Sequence, residues 1–166
     1  MGYKKLKIMN QSFKEYIHTE TVLRFMDSFN ITKEEAIDIF QEMKKLLDLM
    51  NHYGDSEYIF THEPLWIIDE MWHTFILYTR DYRDFCQTYF GKIIDHDIVD
   101  REKKQIIIEG LNTKNEDITQ TVSSAVKRLY QLIYDYLGKE TLIKWIDNYG
   151  KKYTISYMNS IRKPIQ

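Results

Sequence analysis

The sequence predicts an all-α fold, a compact single-domain bundle of about five to six helices. Three observations carry that expectation. Apolar residues recur at spacings of three and four over several long stretches, which is the period of one helix face. Two Thr-x-x-Glu sequences, beginning at Thr32 and Thr113, have the form of a capping box. Only six Gly and two Pro punctuate the 166 residues, and no low-complexity tract or Pro/Gly/Ser linker divides them. The whole of 1–166 is therefore read as one helical domain, with 1–9 and 151–166 as basic terminal segments.

The elements follow in order. Phe13 to Phe29 reads as a first helix, with Phe13, Ile17, Val22, Phe25 and Phe29 on its buried face. Asn30 and the break before Thr32 make a short turn, and the Thr32 hydroxyl can accept from the third backbone N–H of the next helix while Glu35 reaches back. That helix carries Ala36, Phe40, Met43, Leu47 and Met50 as one stripe and ends near Gly54. Pro64 suits a first turn, where its missing N–H costs nothing. The run from Leu65 to Phe90 is long and holds β-branched and aromatic residues around Tyr78, so it divides into helices over 65–77 and 80–90, with Thr79 capping the second and Gly91 stopping it. Residues 92–112 are the least legible: Ile106 to Ile108 reads as a short strand or as part of a helix, ended by Gly110. The second capping box opens a helix through Leu137, with Val122, Val126, Leu129, Ile133 and Tyr136 as its stripe and Gly138 as its stop. A short helix from Glu140 to Asn148, containing Leu142, Ile143, Trp145 and Ile146, precedes the tail.

Composition narrows the function classes. Hydrophobic residues at 43% and charged residues at 29% place the chain among globular domains and against disorder. The single cysteine, Cys86, excludes an intrachain disulfide framework and favours a reducing compartment. No run approaches the roughly 18 apolar residues of a membrane span, and the charged start lacks the apolar core of a secretory signal. The expected setting is cytoplasmic, with no membrane partner. The net charge of -2 conceals an asymmetry, since residues 15–100 carry 7 basic and 18 acidic side chains while 127–166 carry 8 and 3. An acidic body does not attract phosphate backbones, so nucleic acid is not an expected partner. Lys151, Lys152, Tyr153 and Tyr157 form a candidate surface for an unknown protein partner, helped by 13 tyrosines that suit wet interfaces. The bland alternative is a basic tail that pairs with its own acidic face.

The chemistry concentrates between His62 and Asp97. Asp69 and His73 are four apart, hence on one face of a helix, where a carboxylate and an imidazole can share a metal or the carboxylate can hold the imidazole's tautomer. Cys86 on the following helix and His96 after Gly91 can converge on the same point if the two helices fold back, and His62 is a fifth candidate. An Asp69, His73, Cys86, His96 set suits zinc, which accepts N, S and carboxylate O ligands in a tetrahedron. The spacing matches no standard zinc-finger pattern. Two alternatives remain open at this stage: His73 satisfied by Asp69 with Cys86 as a small core filler, and a nucleophilic Cys86–His pair, against which the acidic neighbours Asp81 and Asp84 speak. No phosphate loop, H-E-x-x-H or G-x-S-x-G is present.

The residues Asp69, Trp72, His73, Tyr82, Cys86, Phe90, Gly91 and His96 resemble the motif of the glycine-rich domain-containing protein-like family, D-x₂-W-H followed by Tyr, Cys, Phe-Gly and His. The likeness is to its short bacterial members and extends to the helix from Thr32 to Met50 and to the segment from Tyr130 to Trp145. Those members often end the motif with two adjacent His, where this chain has His96 and Asp97. The resemblance implies a shared Asp/His/Cys/His site more than it implies an activity. The function expected is thus a helical protein with a metal or hydrogen-bonded cluster in a structural or regulatory role, with an inhibitor or adaptor module and a metal-dependent hydrolase as alternatives. No nucleophile, base and electrophile set is legible, so an enzyme is the less favoured class.

Overall fold

Among the described residues of the computed structural model, 12–57, 59–96 and 101–164, the chain forms eight helices and no strand. They are α1 (Thr19–Ser28), α2 (Lys33–Tyr53), α3 (Trp66–Ile76), α4 (Thr79–Phe90), α5 (Arg101–Asn112), α6 (Glu116–Leu137), α7 and α8 (Ile155–Ile161). α7 is one continuous run made of Lys139–Ile143, a π-helical Lys144–Tyr149 and Gly150–Lys152. The all-α expectation holds, and the count exceeds five to six because two segments form full helices that periodicity alone does not reveal. One is α5, in the stretch that reads ambiguously. The other is α8, in the basic tail. No helix among the described residues is long and apolar enough to cross a membrane. The basic segment 1–9 lies outside the described residues.

α2 is central, packing against α1, α3 and α6. Both arms of its capping box form: Glu35 N–H donates to Thr32 Oγ1 at 3.2 Å and Thr32 N–H to Glu35 Oε2 at 3.1 Å. Ala36, Ile39, Phe40, Met43, Leu46 and Leu47 are fully buried and meet Ile67, Ile68, Met71 and Phe75 of α3 in one core. Fully burying each of the larger side chains among them stabilises by about 1.5–3 kcal/mol, so the α2–α3 pair anchors the fold.

Two buried charges on α2 fix the chain around it. Lys44 Nζ donates to the carbonyls of Tyr16 at 2.8 Å, Lys14 at 3.2 Å and Phe13. Holding these carbonyls toward one ammonium favours a turn, which corrects the expected helix from Phe13: residues 13–15 are turn, 16–18 are irregular, and α1 starts at Thr19 with His18 as its cap, the ring accepting from Thr21 N–H. Glu42 accepts from Trp145 Nε1 at 2.7 Å and Lys144 Nζ at 2.8 Å, while Asp38 accepts from Lys144 Nζ and the Tyr149 hydroxyl, both at 2.5 Å. The wider π turn sets Lys144, Trp145 and Tyr149 together against these two acids.

Other local expectations change for similar reasons. Thr79 does not cap α4, whose preceding residue is Tyr78 with no side-chain cap. Gly110 does not end a helix: it lies inside α5, where a Cβ would stand 2.2 Å from Ile118 Cδ1, so it permits the close approach of α6. Thr113 is not the second cap either, because its hydroxyl donates to the Glu109 carbonyl at 2.8 Å and Asn115 caps α6 by accepting from Ile118 N–H at 3.1 Å.

Burial pushes the Lys44 ammonium from its ordinary 10.5 down to about 8. Below that value both folded and unfolded chains hold the proton and the penalty is constant. Between about 8 and 10.5 the unfolded chain binds more protons, so stability rises with pH. Denaturant titrations should show this rise between about pH 8 and pH 10, before tyrosine ionisation opposes it, with a slope of at most about 1.4 kcal/mol per pH unit. Lys44→Met should abolish the rise.

Candidate functional site

α3 presents Asp69 and His73 one turn apart, as their spacing requires. α4 ends at Gly91, whose φ of 71° lies in the left-handed region that favours glycine. The chain then doubles back through residues 92–96, with Ile94 buried, and carries His96 over α3. His96 Nε2 stands 3.1 Å from Asp69 Oδ1, and His73 Nε2 stands 3.7 Å from Asp69 Oδ2. One ligand atom from each of Asp69, His73 and His96 lies within 4.8 Å of the other two. The imidazoles of His73 and His96 have centroids 4.4 Å apart, and Trp72 packs on His96 at 4.2 Å. Asp69 and His96 are mostly sheltered, with side chains 15% and 18% exposed, while His73 is 49% exposed. Such a group can share protons through hydrogen bonds or hold one cation.

What holds His96 there is a buried polar relay. Trp72 Nε1 donates to the Tyr82 hydroxyl at 3.0 Å, and that hydroxyl donates to the Ile94 carbonyl at 2.5 Å. The Cys86 thiol, fully buried, also contacts the Ile94 backbone and the Tyr82 hydroxyl. Cys86 is thus not in the ligand group with Asp69, His73 and His96; it helps pin the segment that carries His96. Burial pushes its pKa up, which disfavours the thiolate that a nucleophile needs. His62 is elsewhere, with Nε2 2.9 Å from the Tyr130 hydroxyl, and burial lowers its pKa. Asp97, the partner residue of the motif's last position, lies outside the described residues.

Most of the tail candidates pair or pack within their own domain, though Lys151 and Lys152 stay exposed. Lys152 pairs with Glu35, Tyr153 is buried with its hydroxyl 3.3 Å from the same carboxylate, and Lys151 pairs with Asp147 at 3.4 Å. Arg162 bonds Glu70 at 2.9 Å and lies over the Phe29 ring. Only Tyr157 of the four candidate partner residues remains exposed without an ion-pair or core role in this arrangement.

Beside the cluster is a cleft of about 850 Å³, unforeseen in the sequence, whose wall includes Asp69, Trp72 and His96. Ile59, Phe60, Ile93, Ile107 and Val122 supply apolar surface, and Glu57, Lys92 and Asp95 supply charge. The Arg128 guanidinium pairs with Glu57 and holds its carboxyl below the usual range. These residues come from five separate stretches of chain, so no spacing in the sequence signals them.

A family model matches residues 6–132, from ahead of α1 to within α6. The chain belongs to the UCP032817-like family. This corrects the likeness to the glycine-rich domain-containing protein-like family, since the UCP032817-like match, to an uncharacterised family, accounts for the same central residues. Asp69, His73, Cys86 and His96 all lie inside the matched region, whereas α7 and α8 follow it. No curated protein and no solved structure matches the chain.

The relay makes a direct prediction. Tyr82→Phe leaves the Trp72 N–H and the Ile94 carbonyl buried without their partner, which should cost about 1–3 kcal/mol in urea unfolding. An unchanged unfolding midpoint would show that segment 92–96 does not depend on the relay.

Proposed function

We propose that this UCP032817-like protein binds one divalent transition-metal ion, zinc first among them, through Asp69, His73 and His96. The observation that carries the reading is the approach of one oxygen and two imidazole nitrogens, from α3 and from segment 92–96, to within 4.8 Å of one another. Tetrahedral zinc, with bonds of about 2.0–2.2 Å, separates its ligand atoms by about 3.3–3.6 Å, so modest side-chain rotation closes the group onto an ion. The donor set of two imidazoles and one carboxylate also suits ferrous iron.

A closed structural zinc site needs four protein ligands, and Cys86 is engaged elsewhere. Three ligands leave a position for water or a ligand on the side of the cleft. That supports an ion that acts on or senses a small molecule, and it raises the hydrolase alternative above a purely structural role. A second reading has its own support in the 3.1 Å Asp69–His96 contact: a metal-free hydrogen-bonded cluster that ties segment 92–96 to α3.

Calorimetric titration of chelator-stripped protein, prepared without a metal-affinity step, distinguishes them. Zinc should bind at about one equivalent, with heat release accompanied by a gain in thermal stability. His73→Ala should weaken uptake by more than about 100-fold. Because His73 is half exposed, that variant should keep its fold. Cys86→Ala should keep the stoichiometry. Absence of uptake for zinc, manganese, cobalt and ferrous iron alike would leave the hydrogen-bonded cluster as the function of these residues.

A further inference from the structure

We infer that the cleft beside the cluster binds a small amphipathic monoanion, whose carboxylate or similar oxygen-donor head completes the coordination of the ion and whose apolar body fills the cleft. The inference rests on the metal reading above and names the ligand class of that same site.

Size sets the first bound. About 850 Å³ lies within the roughly 300–1,000 Å³ of small-molecule sites, too little for a folded partner and ample for a medium-length hydrocarbon chain or a fused ring. Position sets the second. Asp69 and His96 belong both to the ligand group and to the wall of the cleft, so a ligand lying in the cleft can reach an ion held between them. The rest of the wall decides what the body of that ligand is. Trp72, Phe60, Ile93, Ile107 and Val122 offer rings and branched aliphatics, against which a hydrocarbon body loses water at about 25 cal/mol per Å².

Charge sets the head. Four ionisable side chains besides the imidazole line the cleft: Glu57, Asp69, Asp95 and Lys92. Glu57 is neutralised by Arg128, which leaves two carboxylates and one ammonium, a net charge of -1. A divalent ion turns this into +1, which a monoanion cancels. A cation would be repelled by the loaded site. A phosphoryl dianion wants several N–H donors or guanidinium groups around it, and this wall provides a single ammonium, that of Lys92. A neutral apolar molecule would leave the ion with its water and gain nothing from it. A monoanionic oxygen donor uses both halves of the site.

Calorimetry on the full chain tests this with decanoate as the probe, acetate as the head alone and decanol as the body alone, each titrated into zinc-loaded and chelator-stripped protein. Decanoate should bind the loaded protein at least about tenfold more tightly than the stripped protein, and more tightly than either fragment binds. Ala125→Trp places a large ring in the cleft at an exposed position outside the ligand group, and Thr121→Trp does so one helical turn away. Both variants should take up zinc like the parent and lose decanoate binding. Normal zinc uptake with decanoate no tighter than acetate, or with binding untouched by both variants, overturns this inference and leaves the metal reading standing. Failure of the parent to take up zinc, manganese, cobalt and ferrous iron alike overturns both.

Discussion

The site depends on one hydroxyl. Tyr82 accepts from the Trp72 indole and donates to the Ile94 carbonyl, in a region where all three residues are buried and water cannot substitute for either bond. The two bonds have different consequences. The first locks Trp72 in α3 against α4, which sets the spacing of the helix pair. The second fixes the backbone two residues before His96, and a side chain so close to an anchored peptide has little freedom left. His96 then packs, tilted, against the same Trp72 whose N–H began the relay, so one small polar network positions the imidazole from both ends. Cys86 adds to it from the next turn of α4. The thiol thus lies in the network beneath His96, apart from the group of Asp69, His73 and His96.

Electrostatics organise the remainder of the chain on the same pattern, with a buried charge on α2 satisfied by a distant segment. Leaving a buried carboxylate or ammonium unpaired costs several kcal/mol, so Glu42 and Lys44 demand partners. Lys44 finds them in the carbonyls that precede α1, and Glu42 finds them in the π-helical turn of α7. The asymmetry between an acidic body and a basic C-terminal region is the composition-level trace of these pairings, together with Lys152–Glu35 and Arg162–Glu70. The exposed pairs among them contribute little individually, at most about 1 kcal/mol. Their effect is to orient α7 and α8 along α2 and α3. Lys152 and Arg162 of the basic tail thus pair with acids of their own domain, while Lys151 and Tyr157 stay exposed.

Where periodicity and capping act within one helix, the sequence is legible. The Thr32–Glu35 box, the stripe of α2, the break between α3 and α4 and the stop at Gly91 all appear where the residues indicate. Legibility fails where the deciding partner is remote. Phe13 to Ile17 has helical periodicity, but Lys44, about thirty residues on, takes its carbonyls. Thr113 and Glu116 have the capping pattern, but the Thr113 hydroxyl is already committed to the end of the previous helix. Gly110 looks like a stop, but the constraint on it comes from Ile118 across a helical hairpin. The candidate site divides in the same way. Asp69 and His73 are joined by local geometry and are legible, and His96 comes beside them because the turn at Gly91 sends the chain back. Cys86 stands apart from these three, a distinction spacing cannot make because a buried packed thiol and a ligating thiol have the same spacing. The cleft, assembled from five stretches, leaves no local trace.

Losing Cys86 from the ligand group changes the class of chemistry the site supports. A fourth, thiolate ligand would close the coordination sphere and add negative charge, giving an ion that only braces the fold. With three ligands, one of them half exposed, the proposed ion would contribute less to stability but keep an exchangeable position. The support that a structural ion would have given to segment 92–96 comes instead from the Tyr82 relay and from Cys86, neither of which uses the Asp69 carboxylate. On the proposed reading the two tasks are separate: a buried network carries the positioning, and the cluster at its edge would change occupancy without the helix pair coming apart. A site that must bind and release a ligand requires that separation, and a site that only holds the fold together does not.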